Sequence, residues 1–275
     1  MSTVTVDRPA PVTSQVQVAP VTQARVLKSE WIKMRSLRST GLTLLAAVVA
    51  MVAIGWIVGW ATNSHWSRMD PIERALFSPI DNSLTGFHLA QLAVGVLGVL
   101  LISGEYATGM IRATFSAVPH RLPVLWAKSV LYAGVTFVLM LAAAFAAFLG
   151  GQQFLGSHGT TLSAAHAVQS IVGVAGYLTL IAVFAVALGF MIRSTAGGIA
   201  TLFGLLLVLP AIGQVLPTSW QDATLPYLPS NAGASMFSIH TDPSNLSAGS
   251  GLLVLCLWVA AALAGAAVLV KRRDA

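Results

Sequence analysis

Between Lys128 and Arg193 the chain runs for 64 residues without one Asp, Glu, Lys or Arg. No soluble domain can be built over such a stretch. Across the whole chain charged residues reach only 9% against 56% hydrophobic, where roughly a quarter of a globular domain is charged. Cysteine is nearly absent: Cys256 has no second cysteine to pair with, which excludes an internal disulfide and points away from redox chemistry. Catalytic patterns are missing as well. His65, His88, His120, His158, His166 and His240 have no metal-site spacing, no Gly-x-Ser-x-Gly elbow occurs, and no pair of acids stands inside an apolar run as an aspartyl mechanism needs. Of the four lysines, Lys28, Lys33, Lys128 and Lys271, none follows a glycine-rich phosphate loop of the form G-x-x-x-x-G-K-S/T. An enzyme is not expected, nor a metal or cofactor site of the chain's own.

What the chain has instead is apolar runs of membrane length. A hydrocarbon core of about 30 Å takes roughly 20 residues of helix, and six stretches qualify: Gly41–Ala61, Ser83–Ser103, Val130–Gly150, Val168–Ile192, Gly198–Leu216 and Gly251–Val270. The charge-free stretch is too long for one helix and holds two, with Gly150-Gly151 and the polar run Gly156–Thr161 marking a hairpin between them. The expected fold is an all-α integral membrane domain of six transmembrane helices. Gly197-Gly198 reads as the turn between spans four and five, and Pro210 should kink span five by freeing a backbone carbonyl.

Six spans put both termini on one side, and the charges then separate. Arg8, Arg25, Lys28, Lys33, Arg35, Arg38, Arg112, Arg121, Lys128, Arg193, Lys271, Arg272 and Arg273 share the side of the termini with Asp7, Glu30, Glu105 and Asp274. Only Arg68 and Arg74 fall on the other, so one side carries +9 and the other −3, together the chain's +6. Lys and Arg are retained in the cytoplasm, which orients the protein in the plasma membrane with both ends inside. The basic balance is thus a topology signal and a contact for anionic lipid, not a nucleic-acid footprint.

Residues 1–23 mix Pro9, Pro11 and Pro20 with Ser, Thr, Gln and Val. They are expected to form a disordered cytoplasmic tail rather than a cleaved signal, with the membrane domain covering 24–273. From Ala24 to Arg38, the side chains of Val26, Leu27, Trp31, Met34 and Leu37 share one helical face while Lys28, Lys33 and Arg35 lie off it. Such a helix lies flat in the cytoplasmic interface, Trp31 at headgroup level and the bases towards anionic lipid. It reads either as an anchor for the first span or as a lever leading into it.

The link between spans two and three is longer than a hairpin needs, roughly 25 residues where 2–8 suffice. Within it Ile111, Phe115 and Val118 recur at helical spacing and Pro119 stops the run, so a short helix is expected over Thr108–Val118. Glu105 stands where span two leaves the bilayer, with Arg112, Arg121 and Lys128 as candidate partners; a carboxylate there must be paired or hydrated.

The order of these parts resembles the permease subunits of type 2 ATP-binding-cassette (ABC) exporters, over Ala24 to Arg273. The sharpest likeness is an acid, three residues, Gly, then a hydrophobic helix ending at Pro with bases beyond, matched by Glu105, Gly109, Ile111, Pro119, Arg121 and Lys128. The opening Ser29–Ser36 is similar to that of actinobacterial members. The resemblance implies that Thr108–Val118 is a coupling helix resting on a separate ATP-binding subunit, which holds the ATP and Mg. It also implies a second permease copy, same or different, and an external gate of half-helices in Pro217–Ser250, a segment whose residues by themselves read equally as an ordinary surface loop. Docking would use Met110, Ile111 and Phe115, with Arg112 and Arg121 steering. The implied activity is export of a hydrophobic or amphipathic compound.

Inside the spans, His88, Gln91, Gly95 and Gly98 fall on one face that continues to Glu105. They are candidates for a pathway lining, and equally for helix packing. Gly55-x-x-x-Gly59 is a candidate subunit contact or an ordinary packing pair. The alternative function, an ion- or proton-coupled carrier, would place ionisable groups near the midplane and show inverted repeats. No Asp, Glu, Lys or Arg falls within the six predicted spans.

Overall fold

The computed structural model of the protein describes residues 21–239 and 246–272. In chain order the helices are α1 (Gln23–Ser36), α2 (Arg38–His65), α3 (Pro71–Ala75), α4 (Pro79–Leu84), α5 (Phe87–Ala107), α6 (Met110–Ala117), α7 (Leu122–Leu155), α8 (Ala167–Ile192), α9 (Thr195–Phe203), α10 (Leu209–Gly213), α11 (Thr218–Thr224), α12 (Pro229–Ala234) and α13 (Ala248–Arg272). No strand occurs among the described residues. Among the described residues six stretches are long and apolar enough to cross a membrane: Arg38–Arg68, Pro79–Ala107, Leu122–His158, Ala167–Ile192, Thr195–Gly213 and Ala248–Arg272. The chain is an all-α membrane protein with six spans. The tail expected for residues 1–23 lies outside the described residues except for its last three.

Helix α8 is the axis of the bundle. Its most apolar stretch is 72% buried, against 22% in the first span, and it packs on α5, α7 and α13. Small residues let the backbones close in: a Cβ on Gly98 would stand 2.8 Å from that of Ala185, and one on Gly189 would stand 2.9 Å from Ile102.

Two glycine doublets do not make the turns expected of them. Gly150 and Gly151 lie inside α7, which runs 34 residues, roughly 50 Å at 1.5 Å per residue. A Cβ on Gly150 would overlap the Trp56 indole, and one on Gly151 would crowd Ser83. The space they leave lets Trp56 donate from Nε1 to the Ala146 carbonyl (3.0 Å) and Gln152 donate from Nε2 to Pro79 O and Ser83 Oγ (both 2.9 Å). Gly197 and Gly198 are likewise helical, in α9, with Gly198 pressed on Val99. The turn before them is made by Arg193, in the left-handed region at φ 57°, and by Ser194, which caps α9. In these spans glycine serves close packing more than turning.

Span two begins earlier than expected, with α4, and is broken at Thr85-Gly86 before α5; a Cβ on Gly86 would overlap Met51 of α2. In span five the Leu209 N–H reaches back five residues to the Gly204 carbonyl, a π turn just ahead of Pro210. That turn takes up the register that a proline inside a helix disturbs. Cys256, on α13, is exposed.

One end of the bundle gathers α1, α6 and the close of α13. Gln23 Nε2 donates to Pro123 O at 3.1 Å, and Arg121 Nη1 donates to Val270 O at 3.3 Å. This is called the basic end. At the opposite end lie α3, α11 and α12.

Candidate functional site

The extramembrane helix α6 is created by its first turn. Thr108 closes α5, its Oγ1 donating to the Gly104 carbonyl (2.9 Å), and Gly109 takes φ 72°. That left-handed step redirects the chain, so α6 starts at Met110, later than expected. No heavy atom would lie within 4 Å of a Cβ there, so Gly109→Ala should cost about 1 kcal/mol through backbone conformation alone. Hydrogen exchange that slows or is unchanged at α6 in the variant would contradict this.

Helix α6 presents two unlike sides. Ile111 and Phe115, four residues apart, are buried at 2% and 6% exposure, and Thr114 turns towards α1. Met110, Arg112, Ala113 and Ser116 are exposed. Ile111 and Phe115, expected to dock a partner, are thus occupied by the chain's own core. Arg121, expected to steer, folds back with its guanidinium 5.4 Å over the Phe115 ring and its Nη1 on Val270 O. Pro119 ends the segment in an exposed turn.

Behind α6 lies a closed ring of four charges. Lys128 Nζ is 2.6 Å from Glu30 Oε2 and 2.8 Å from Glu105 Oε1; Lys33 Nζ is 2.9 Å from Glu30 Oε1 and 3.2 Å from Glu105 Oε1. Lys33 also donates to Thr114 Oγ1 at 3.0 Å. The ring ties α1, α5, α6 and α7 together. Glu30, Glu105 and Lys128 have side chains only 4–7% exposed, Lys33 27%. Charges so deeply buried persist only when paired. Lys128 was among the partners expected for Glu105; Arg112 is exposed and not in the ring.

This ring rewrites the amphipathic helix. On α1 the buried stripe is Val26, Glu30 and Met34, spaced by four, while Trp31 and Leu37 are 45% and 49% exposed. Lys33, expected to face lipid, turns inward; Arg35 stays exposed. The signal that sequence reading passed over was an acid midway along an apolar i, i+4, i+8 stripe.

Burial by itself would lower the Lys33 pKa, but hydrogen bonding and Coulomb attraction from Glu30, then from Glu105, outweigh it and hold the ammonium above its usual 10.5. A base raised in the native state stabilises fully below its unfolded pKa, and that contribution is lost as pH climbs through the native one. Helix α1 should therefore hold below pH 10.5 and loosen above it, seen as faster exchange of its amides. The alkaline step should vanish in Lys33→Met; its persistence there would count against the assignment.

The stripe on span two divides. Gln91, 2% exposed, accepts a hydrogen bond from the Tyr177 hydroxyl, Gly95 receives Leu202, and Gly98 receives α8. These three pack helices. His88 alone is exposed, in a cleft at the opposite end with Asp81 and Phe237. Gly55 and Gly59 also face inward, on Ser83 and on Gly151, 2.9 Å from its carbonyl oxygen for a Cβ at Gly59; they are not a surface for another subunit. Of Pro217–Ser250, expected as an external gate of half-helices, the described residues form α11, α12 and the start of α13, and residues 240–245 lie outside them. Helix α12 is embedded through Pro229, Ala232 and Gly233, and Trp258 of α13 donates from Nε1 to Tyr227 O at 2.9 Å.

Fold and site together define a six-span membrane protein with a short helix braced outside its spans by a four-charge ring. Among known proteins, no family model and no curated sequence matches the chain.

Proposed function

We propose that the chain is the membrane-spanning subunit of an ATP-driven exporter, of the type 2 ABC permease kind. It would work beside a separate ATP-binding subunit and a second permease copy, in the plasma membrane with the basic end in the cytoplasm. The observation that carries this reading is the two-sided helix α6. Its exposed edge, Met110, Arg112 and Ser116, is available to a partner, while its buried side is tied through Thr114 and Lys33 to α1, α5 and α7. A push on α6 would therefore reach spans two and three through the ring, and span one through α1, which leads into it. The charges of the six spans stand at or near their ends, and none is placed near mid-membrane as ion-coupled carriers require. Export of an amphipathic or hydrophobic compound follows from the resemblance and from the apolar interior.

The test is co-purification in nanodiscs with ABC-type ATP-binding subunits co-expressed from the same genome, with Met110→Asp/Arg112→Glu as the docking variant. Wild type should retain the ATPase and change its ATP turnover, and the variant should lose at least tenfold in affinity with its thermal stability intact. If no ATPase associates, or if the variant binds as well as wild type, the reading fails.

A further inference from the structure

The cleft that holds His88, at the end of the bundle opposite the basic one, has a volume of about 1,080 Å³. Small-molecule sites run to roughly 1,000 Å³, so it has room for a bulky body. Its wall is built from α4, the residues just before it, the start of α5 and the residues after α12. Phe77, Phe87 and Phe237 stand in that wall. The rings of Phe87 and Phe237 lie 4.8 Å apart with their planes at 72°, so their faces turn in different directions, and both rest on Tyr177 of α8, which is fully buried. This aromatic corner is fixed before a ligand arrives. Two carboxylates, Glu73 and Asp81, share the wall, and none of the described residues lining it is Lys or Arg. Arg74, the neighbour of Glu73, is engaged elsewhere, its Nη2 donating to Ser67 O at 2.9 Å. Glu73 is exposed, and Asp81 is half-buried with Oδ1 3.4 Å from the Ile239 N–H nitrogen.

We propose that this cleft binds an organic ammonium compound with an apolar body, the body against Phe77, Phe87 and Phe237 and the ammonium towards Glu73 and Asp81. The two halves of the wall fix that chemistry together. Aromatic faces and carboxylates both attract a cation, whereas an anion meets two like charges and a neutral compound gains nothing from them. A bare metal ion is not served either, because among the described residues no three of His, Cys, Asp and Glu come together as ligands. The volume and the three rings ask for an apolar body as well as a charge. The inference stands apart from the exporter reading, since the cleft is far from α6 along the bundle and its binding can be measured with no ATPase present.

The experiment uses the full chain in dodecyl maltoside, a detergent without charge, at about pH 8, where imidazoles are neutral and alkylamines charged. Dansylcadaverine and its N-acetyl derivative share one aromatic body and differ in the ammonium, and their binding is followed by dansyl fluorescence. The amine should bind at least about fivefold more tightly than the acetyl derivative, through a cation–π contact and a partly exposed ion pair together. Glu73→Gln/Asp81→Asn keeps an oxygen for the Asp70 and Ile239 N–H groups, and should bring the two ligands within about twofold of one another. Phe77→Leu keeps apolar bulk but removes a ring, and should weaken the amine more than the acetyl derivative, with Phe87→Leu as the second such variant should the first not fold. A wild-type ratio under about fivefold would overturn the proposal, as would a preference that survives the double variant. Adding phosphatidylethanolamine to the micelles separates the two sources of an ammonium group: a lipid headgroup that belongs in the cleft displaces the amine, and a cleft that serves a soluble compound retains it.

Discussion

Replacing Lys128 by Met is expected to cost about 3–5 kcal/mol, the range for breaking a buried ion pair by removing one partner. The side chain of Lys128 is 7% exposed and touches Glu30 at 2.6 Å and Glu105 at 2.8 Å. Without it two buried carboxylates face each other with only Lys33, 27% exposed, between them. Lys33→Met should cost less, because its side chain is 27% exposed against 7% for Lys128 and water can screen part of its pairing. Pairing Lys128→Met with Glu105→Gln should recover part of the loss, since an uncompensated carboxylate is removed along with its partner. Thermal unfolding of the three variants in nanodiscs decides the matter. A loss under about 1 kcal/mol for Lys128→Met would show that the ring is hydrated and not structural.

Gly55→Ala and Gly41→Ala should move stability in opposite directions although both add one methyl group to α2. At Gly55 the new Cβ would overlap the Ser83 carbonyl oxygen, a backbone atom that cannot rotate away, and would also meet Ala147 at 3.4 Å. The helices α2 and α4 must separate, and overpacking of this kind costs about 1–3 kcal/mol. At Gly41 no heavy atom lies within 4 Å, and alanine should be neutral or gain up to about 1 kcal/mol from helix propensity. Equal effects at the two positions would mean that the contact between α2 and α4 is loose enough to relax.

The six spans and the short helix after Glu105 were legible because lipid imposes a coarse rule, uncharged runs of helix length, that survives any detail of packing. Pro119 and Gly109 bracketed α6 almost correctly, since both act through the backbone alone. What misled was glycine. Gly150, Gly151, Gly197 and Gly198 look like turns in water, whereas here each or its neighbour gives room to Trp56, Ser83, Ile192 or Val99. Which use applies depends on a helix distant in sequence. The pairing of Glu105 with Lys128 was visible as proximity along the chain. The involvement of Glu30 and Lys33, more than seventy residues away from Glu105, was not, because the helical wheel of α1 sorted residues by polarity and could not anticipate a polar partner on the buried side. The docking residues divided for the same reason: Ile111 and Phe115 were read as a sticky outer face, but the apolar stripe of a short helix is claimed first by the core beneath it.

The π turn in the fifth span has a mechanical meaning. Its ring from Leu209 back to Gly204 encloses one residue more than an α-helical ring, so everything beyond it is turned by about 100° from where an uninterrupted helix would place it. The span is two short rods, Thr195–Phe203 and Leu209–Gly213, set out of register with one another, so the side chains past the joint face a different neighbour from those an unbroken helix would offer, and Pro210, which has no N–H to give, stands just beyond it.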